Sequence, residues 1–298
     1  MGRTLLSDRL RVLLNLPDSR SFRCERSREA IEAGFSVHRL CIVTDTGTIP
    51  STLLQPEMPN GAAILYCHAH GNRPDIGRAE VLIGRPAIGE PFGSQLARCG
   101  FAVLCADMPG FGERQGEGSE SALVKAAQWR GETLMGRMLS DLILAVDALA
   151  GIDGVDADRI GAFGLSMGAT HAYWLAALDR RIAAVAHACA FSDMSPLIDS
   201  GAHDLHGHYM TVPGFLAIGD MGDVAASIAP RPQFIASGAD DPLTPQRALG
   251  PALHTASEAY GAHGDLTILT EAGSGHRLTP RMRRDILAFF DRTLARPA

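Results

Sequence analysis

The chain contains no Cys-x-x-Cys pair, no His-Glu-x-x-His run and no stretch of about 18 apolar residues, and each absence removes a class of function. Its cysteines, Cys24, Cys41, Cys67, Cys99, Cys105 and Cys189, are widely spaced and sit mostly in apolar runs. Buried free thiols fit this pattern better than disulfides, zinc ligands or a redox pair. Positive charge is also short: the net charge is -6, the pI is near 6.0 and the arginines are scattered. Nucleic acid is therefore not an expected partner. Lys125 is the only lysine, a coding skew without chemical meaning. Residues 1–16 are cut by Arg3, Asp8, Arg9 and Arg11 and lack the apolar region of a signal peptide. With no transmembrane run either, a cytoplasmic protein without a membrane partner is expected.

What is present suits an α/β domain, because 298 residues with 46% hydrophobic content can bury a sizeable core. Leucines fall on one helical face over 5–16 and stop before Pro17, so residues 1–36 are expected to form a helical extension packed on the domain. The segments 37–43 and 48–55 flank Thr44-Asp45-Thr46-Gly47 and read as a hairpin. From Gly61 onward, apolar runs at 62–67, 101–106, 159–165, 182–188, 233–237 and 266–269 alternate with helical patterns at 91–98, 132–149, 167–178, 245–260 and 280–294. Strands buried on both faces and joined by helical crossovers read this way. The fold class is α/β: an open, mostly parallel, doubly wound sheet with an antiparallel N-terminal hairpin. No repeat or linker divides 37–298, which is taken as one domain. Two long connections, 108–131 and 191–232, exceed plain crossovers and are the expected cap-like walls of a ligand crevice.

Gly164-Leu165-Ser166-Met167-Gly168 lies between the apolar run 159–165 and the helical pattern 167–178. A serine there sits on a sharp strand-to-helix turn, where flanking side chains would collide with neighbouring elements. The short pattern is not specific alone; its context is. A serine hydroxyl needs a base in reach and a third group to orient that base. Candidate acids follow the run 233–237 in Ser237-Gly238-Ala239-Asp240-Asp241-Pro242, and a histidine, His276, follows the run 266–269. Asp240 and Asp241 compete as the acid, with Asp193 as a third candidate after the preceding strand. One oxyanion donor is the N–H of Met167, directly after the serine at a helix N-terminus.

These positions, together with His68-Ala69-His70-Gly71-Asn72, Ala106-Asp107-Met108-Pro109-Gly110-Phe111-Gly112 and Ala229-Pro230-Arg231-Pro232, resemble the α/β-hydrolase superfamily. Within it, the chain from about Val37 to the C-terminus is similar to the dienelactone hydrolase and acetyl xylan esterase-like branch. The resemblance implies Ser166 as nucleophile, His276 as general base and then acid, and Asp241 as the residue that holds the imidazole, because Gly238 and Pro245 align around it. It also places the second oxyanion donor at Asn72. No cofactor is implied, and the partner is a small-molecule ester, with a homo-oligomer left open. A serine carboxylesterase acting on a small or medium acyl ester or a lactone is the expected function.

Other candidates have plainer readings. His203, His206 and His208 are spaced as zinc ligands could be, yet pocket lining or polar packing is expected of them. His68 and His70 are expected to brace the loop, Asp107 to satisfy a turn, and His171, Trp174 and His187 to pack against the sheet. Trp129, Arg130, Tyr209 and Phe215 are candidate pocket residues. Among rival functions, an acylaminoacyl-type peptidase usually carries a propeller that the 36 leading residues cannot supply. A carbon-carbon bond hydrolase could use the same triad, and a ligand receptor on this fold would often have lost a triad member.

Overall fold

Nine strands alternate with ten α-helices in the computed structural model, which describes residues 5–17 and 20–295. The strands are β1 (Phe22–Glu32), β2 (Phe35–Thr44), β3 (Gly47–Pro56), β4 (Ala63–Cys67), β5 (Ala102–Ala106), β6 (Ile160–Leu165), β7 (Ile182–Ala188), β8 (Gln233–Gly238) and β9 (Leu266–Glu271). They form one sheet in the order β1-β2-β3-β5-β4-β6-β7-β8-β9. Pairing is antiparallel from β1 through β3 to β5 and parallel from β5 to β9. The helices are α1 (Leu6–Leu13), α2 (Glu80–Ile83), α3 (Phe92–Arg98), α4 (Glu120–Trp129), α5 (Leu134–Ala150), α6 (Met167–Leu178), α7 (Met194–Asp199), α8 (Met221–Ala226), α9 (Gln246–Tyr260) and α10 (Pro280–Thr293).

Side chains of successive strand residues point to opposite faces. In β4, Ala63 and Leu65 join a core shared with α1, α5, α6, α8 and α9, whereas Ile64 and Tyr66 join a second core shared with α3 and α10. Helices on both faces make the sheet doubly wound, as the unbroken apolar runs require. All twelve residues of α6 are buried, which explains why that helix carries no polar stripe.

Two expectations are corrected. Of the cysteines expected to be buried free thiols, only Cys67, Cys105 and Cys189 are buried; Cys41 is half-buried, and Cys24 on β1 and Cys99 after α3 are exposed. Among the described residues the extension 1–36 is helical only at α1, and Phe22–Glu32 is an eleven-residue edge strand. Every residue of β1 except Phe22 is exposed, so the strand is held by its backbone ladder to β2 and shows no alternation of apolar and polar residues. The hairpin β2-β3 and the later strands lie where the sequence places them. The cap-like segments are not plain loops: 108–131 contains α4, and 191–232 contains α7 and α8.

The chain runs from β4 outward to β5 and then returns to the other side of β4 as β6. Such a reversal opens a crevice at the carboxyl ends of the two strands. The loop after Cys67 and the turn at Ser166 face each other across it. No helix among the described residues is long and apolar enough to cross a membrane.

Candidate active site

Ser166 has φ 57° and ψ -126°, a left-handed conformation that non-glycine residues rarely adopt. Strain of this kind survives only where surroundings fix it, and it recurs at functional turns. The Ser166 N–H donates to Ala188 O at the end of β7 (2.9 Å), and Ser166 O accepts from Ala169 N (2.9 Å) and Thr170 N (3.1 Å). A Cβ on Gly164 would overlap the carbonyl of Gly168, and one on Gly168 would overlap the carbonyl oxygen of Cys67. Both glycines are thus demanded by close backbone approach, as the sequence pattern implies.

Asp241 follows β8, and His276 follows β9. The two loops pack on each other at Gly238, where a Cβ would overlap the carbonyl oxygens of Ser274 and Gly275. His276 Nδ1 is 2.8 Å from Asp241 Oδ2, and the aspartate side chain is fully buried. Its other oxygen, Oδ1, accepts the Leu243 N–H at 2.9 Å. A carboxylate that accepts from Nδ1–H fixes the tautomer and leaves Nε2 as the basic nitrogen. Asp240 is exposed and touches the histidine loop only through its own N–H to Ser274 O. Asp193 lies elsewhere, accepting Gly222 N at 2.8 Å; burial, with Asp220 and Asp223 nearby, pushes its carboxyl up to about 6.

Ser166 and His276 line one cavity of about 660 Å³, together with Met167, Asn72, Glu120 and Tyr209. Among the described residues no hydrogen bond joins Ser166 Oγ to the imidazole. Met167 N is at the first position of α6, where N–H groups have no intrahelical acceptor. The Asn72 N–H, by contrast, donates to His70 Nδ1 at 3.1 Å.

The loop that carries Asn72 is braced from several sides. His70 Nε2 is 2.6 Å from Glu120 Oε2, and Arg85 Nη1 donates to His70 O at 2.9 Å. Burial pushes the Glu120 carboxyl up, but its bond to His70 and the N–H groups of His208 and Tyr209 more than offset this and hold it below the usual range. Underneath, Arg85 is ion-paired with the buried Glu80, which also accepts from Ala69 N (3.0 Å) and Tyr66 OH (2.9 Å). His68 accepts the Met108 N–H on Nε2 at 3.2 Å, and burial lowers its pKa to about 3. His68 and His70 are therefore bracing residues, as expected.

Asp107 receives Arg78 N (2.7 Å) and Glu113 N (3.0 Å), a structural turn. Among the described residues no group of histidine, cysteine and acidic side chains could hold a metal ion. His206 donates from Nε2 to Leu243 O (3.0 Å), so the same residue whose N–H reaches Asp241 is tied to the cap segment. His208 also lines the cavity, whereas Trp129 and Arg130 are exposed and do not. Glu120, Glu80 and Arg85 were not singled out in the sequence. Ser119, an N-cap whose hydroxyl accepts from Ala122 N, offered the only local signal, a helix start placing Glu120 in the first turn.

The comparisons bear on the family and the fold. The model of the dienelactone hydrolase family matches residues 89–202. YtaP of Bacillus subtilis (strain 168), whose name describes it as a hydrolase, is 31% identical over 290 residues, covering 95% of this chain and 97% of that protein. Acetyl xylan esterase 1 from Thermoanaerobacterium sp. JW/SL YS485 superposes with a TM-score of 0.71 at 16% identity, over 96% of this chain and 92% of that one. A glucuronoyl esterase from Solibacter usitatus gives 0.67 at 14% identity, over 96% and 91%. The fold is that of the α/β-hydrolases, and the chain is a hydrolase belonging to the dienelactone hydrolase family.

Proposed function

We propose that the chain is a serine carboxylesterase that cleaves a small or medium acyl ester or a lactone through an acyl-enzyme. The observation that carries this reading is the buried Asp241–His276 pair opening on the same cavity as the strained Ser166 turn. His276 Nε2 takes the Ser166 proton as Oγ attacks the ester carbonyl. Asp241 holds the tautomer and stabilises the imidazolium. The tetrahedral oxyanion is met by Met167 N–H and by Asn72 N–H, which exchanges His70 Nδ1 for the stronger acceptor. A donor already in place, as the Met167 N–H is at the start of α6, is worth several kcal/mol because it needs no reorganisation during reaction. The imidazolium then protonates the leaving alcohol, and water repeats the sequence on the acyl-enzyme. This chemistry needs no cofactor, and the ester-acting names of the structural neighbours are consistent with it.

The test is turnover of p-nitrophenyl acetate by the wild type and Ser166→Ala, with fluorophosphonate labelling alongside. Loss of at least about a thousandfold in kcat is expected for the variant, with labelling confined to Ser166. Equal turnover by both proteins, or a wild type that does not label, removes the proposal.

A further inference from the structure

Beside the cavity that holds Ser166 lies a second one of about 460 Å³, and the two share Ser121, Asp204, His206, Gly207 and His208 as walls. The second cavity has an apolar part of its own. Its floor is made by the buried Val124, Met210, Val212 and Phe215, with Phe215 packed on Trp174 at 4.9 Å between ring centroids. Its rim carries Ile198 and Leu216, each 45% exposed. Lys125, Gln128, His203 and Thr211 also line it, and an apolar floor and mouth beside a few polar groups are the kind of surface that binds a small organic group.

We infer that this second cavity binds an apolar arm of the same ester whose carbonyl is attacked by Ser166. The inference rests on the esterase reading above and adds a substrate class to it: esters with a medium-length alkyl or aryl half, rather than acetyl esters of polar alcohols alone. Continuity with the catalytic cavity is the argument for this occupant. The two cavities adjoin along the five residues they share, and an arm leaving the carbonyl crosses there toward the apolar floor. Gly207 is held small by its surroundings, since a Cβ would meet the Tyr209 ring at 2.7 Å and Glu120 Oε1 at 3.2 Å. The polar Asp204, His206 and His208 line both cavities. Each methylene moved from water into such a floor is worth roughly a fourfold gain in kcat/KM, up to the length that fills it.

Two substrate series test the inference: p-nitrophenyl esters from acetate to octanoate, and alkyl acetates from methyl to octyl. In the wild type, kcat/KM is expected to rise along at least one series. Val212→Trp fills the floor and Leu216→Trp closes the rim; because Leu216 is exposed, its replacement does not threaten folding. The ratio of hexyl-length to shortest-substrate kcat/KM in the responsive series is expected to fall at least about tenfold in these variants. A wild type that hydrolyses the acetate with no length dependence in either series overturns the inference while leaving the esterase reading intact. A length dependence unchanged in Leu216→Trp and in folded Val212→Trp also overturns it. Absence of any Ser166-dependent turnover overturns the esterase reading itself.

Discussion

Glu120 Oε2 lies 2.6 Å from His70 Nε2, and the opposite ring nitrogen of that histidine accepts the Asn72 N–H at 3.1 Å. The carboxylate therefore chooses the tautomer that leaves Nδ1 as an acceptor, and through it sets where the Asn72 N–H points. Glu120 is a positioning residue in this scheme. Removing it in Glu120→Ala is expected to lower kcat by about tenfold to a hundredfold with little change in KM, since the loop that delivers the Asn72 N–H to the oxyanion loses its brace at His70 and the loss is felt in the transition state. Glu120→Gln, whose amide oxygen still accepts from Nε2–H, is expected to recover much of the loss. Steady-state kinetics on p-nitrophenyl acetate give the readout, and a rise in KM at constant kcat would instead assign Glu120 to substrate binding.

Two adjacent aspartates separate cleanly by environment. Asp241 is buried against His276, while Asp240 faces solvent. Asp241→Asn is expected to reduce kcat by about 10⁴, because the amide cannot hold the reactive tautomer. Asp240→Asn is expected to stay within about twofold of wild type, as exposed substitutions away from a site usually do. Reversal of this order in a side-by-side assay would move the acid to Asp240.

The elements that the sequence made legible are those with a buried face. The runs 62–67, 159–165 and 182–188 read as strands because every residue but Ala183 is buried, and Gly164 and Gly168 read as a turn because backbone crowding forbids side chains there. Asp241 and His276 could be placed at strand ends for the same reason. β1 was illegible: all its residues but Phe22 are exposed, so backbone pairing, helped by the Arg26 side chain on His38, makes it a strand, and pairing leaves no trace in residue order. Glu120 was missed because its meaning depends on His70, fifty residues earlier, which only the folded cap brings near.

Buried imidazoles set the acid limit of stability. Burial holds His68, His171 and His187 at about 3, far below the ordinary histidine value of 6.5. Folded, they stay neutral; unfolded, they take protons below about pH 6.5. Their contribution is thus complete above that pH and is lost progressively as the pH falls toward 3. Where all three are protonated only in the unfolded chain, stability falls by about 4 kcal/mol per pH unit. Neither ring nitrogen of His171 has a hydrogen-bond partner, so His171→Phe sacrifices none. Denaturant titrations between pH 7 and 4 are expected to show that slope reduced by about a third in this variant. An unchanged slope would mean that His171 takes its proton in the folded chain.

The same substitution is expected to act with opposite sign at two glycines. In Gly168→Ala the new methyl would overlap the Cys67 carbonyl oxygen and lie 2.9 Å from His68 O, both backbone atoms at the end of β4 that cannot step aside. Either β4 or the start of α6 must shift, which carries Met167 N with it. A loss of about 1–3 kcal/mol in stability is expected from the overpacking, and kcat is expected to drop about a hundredfold from the displaced donor. Gly250 sits within α9, where the nearest atom to an added methyl is the mobile end of Gln246 at 3.4 Å. Gly250→Ala is expected to stabilise the protein by about 0.5–1 kcal/mol, because alanine loses less backbone entropy in a helix, and to leave kcat unchanged. Thermal melts and esterase assays on both variants decide the matter; a tolerated Gly168→Ala would show that the turn has more room than the close approach of α6 to β4 allows.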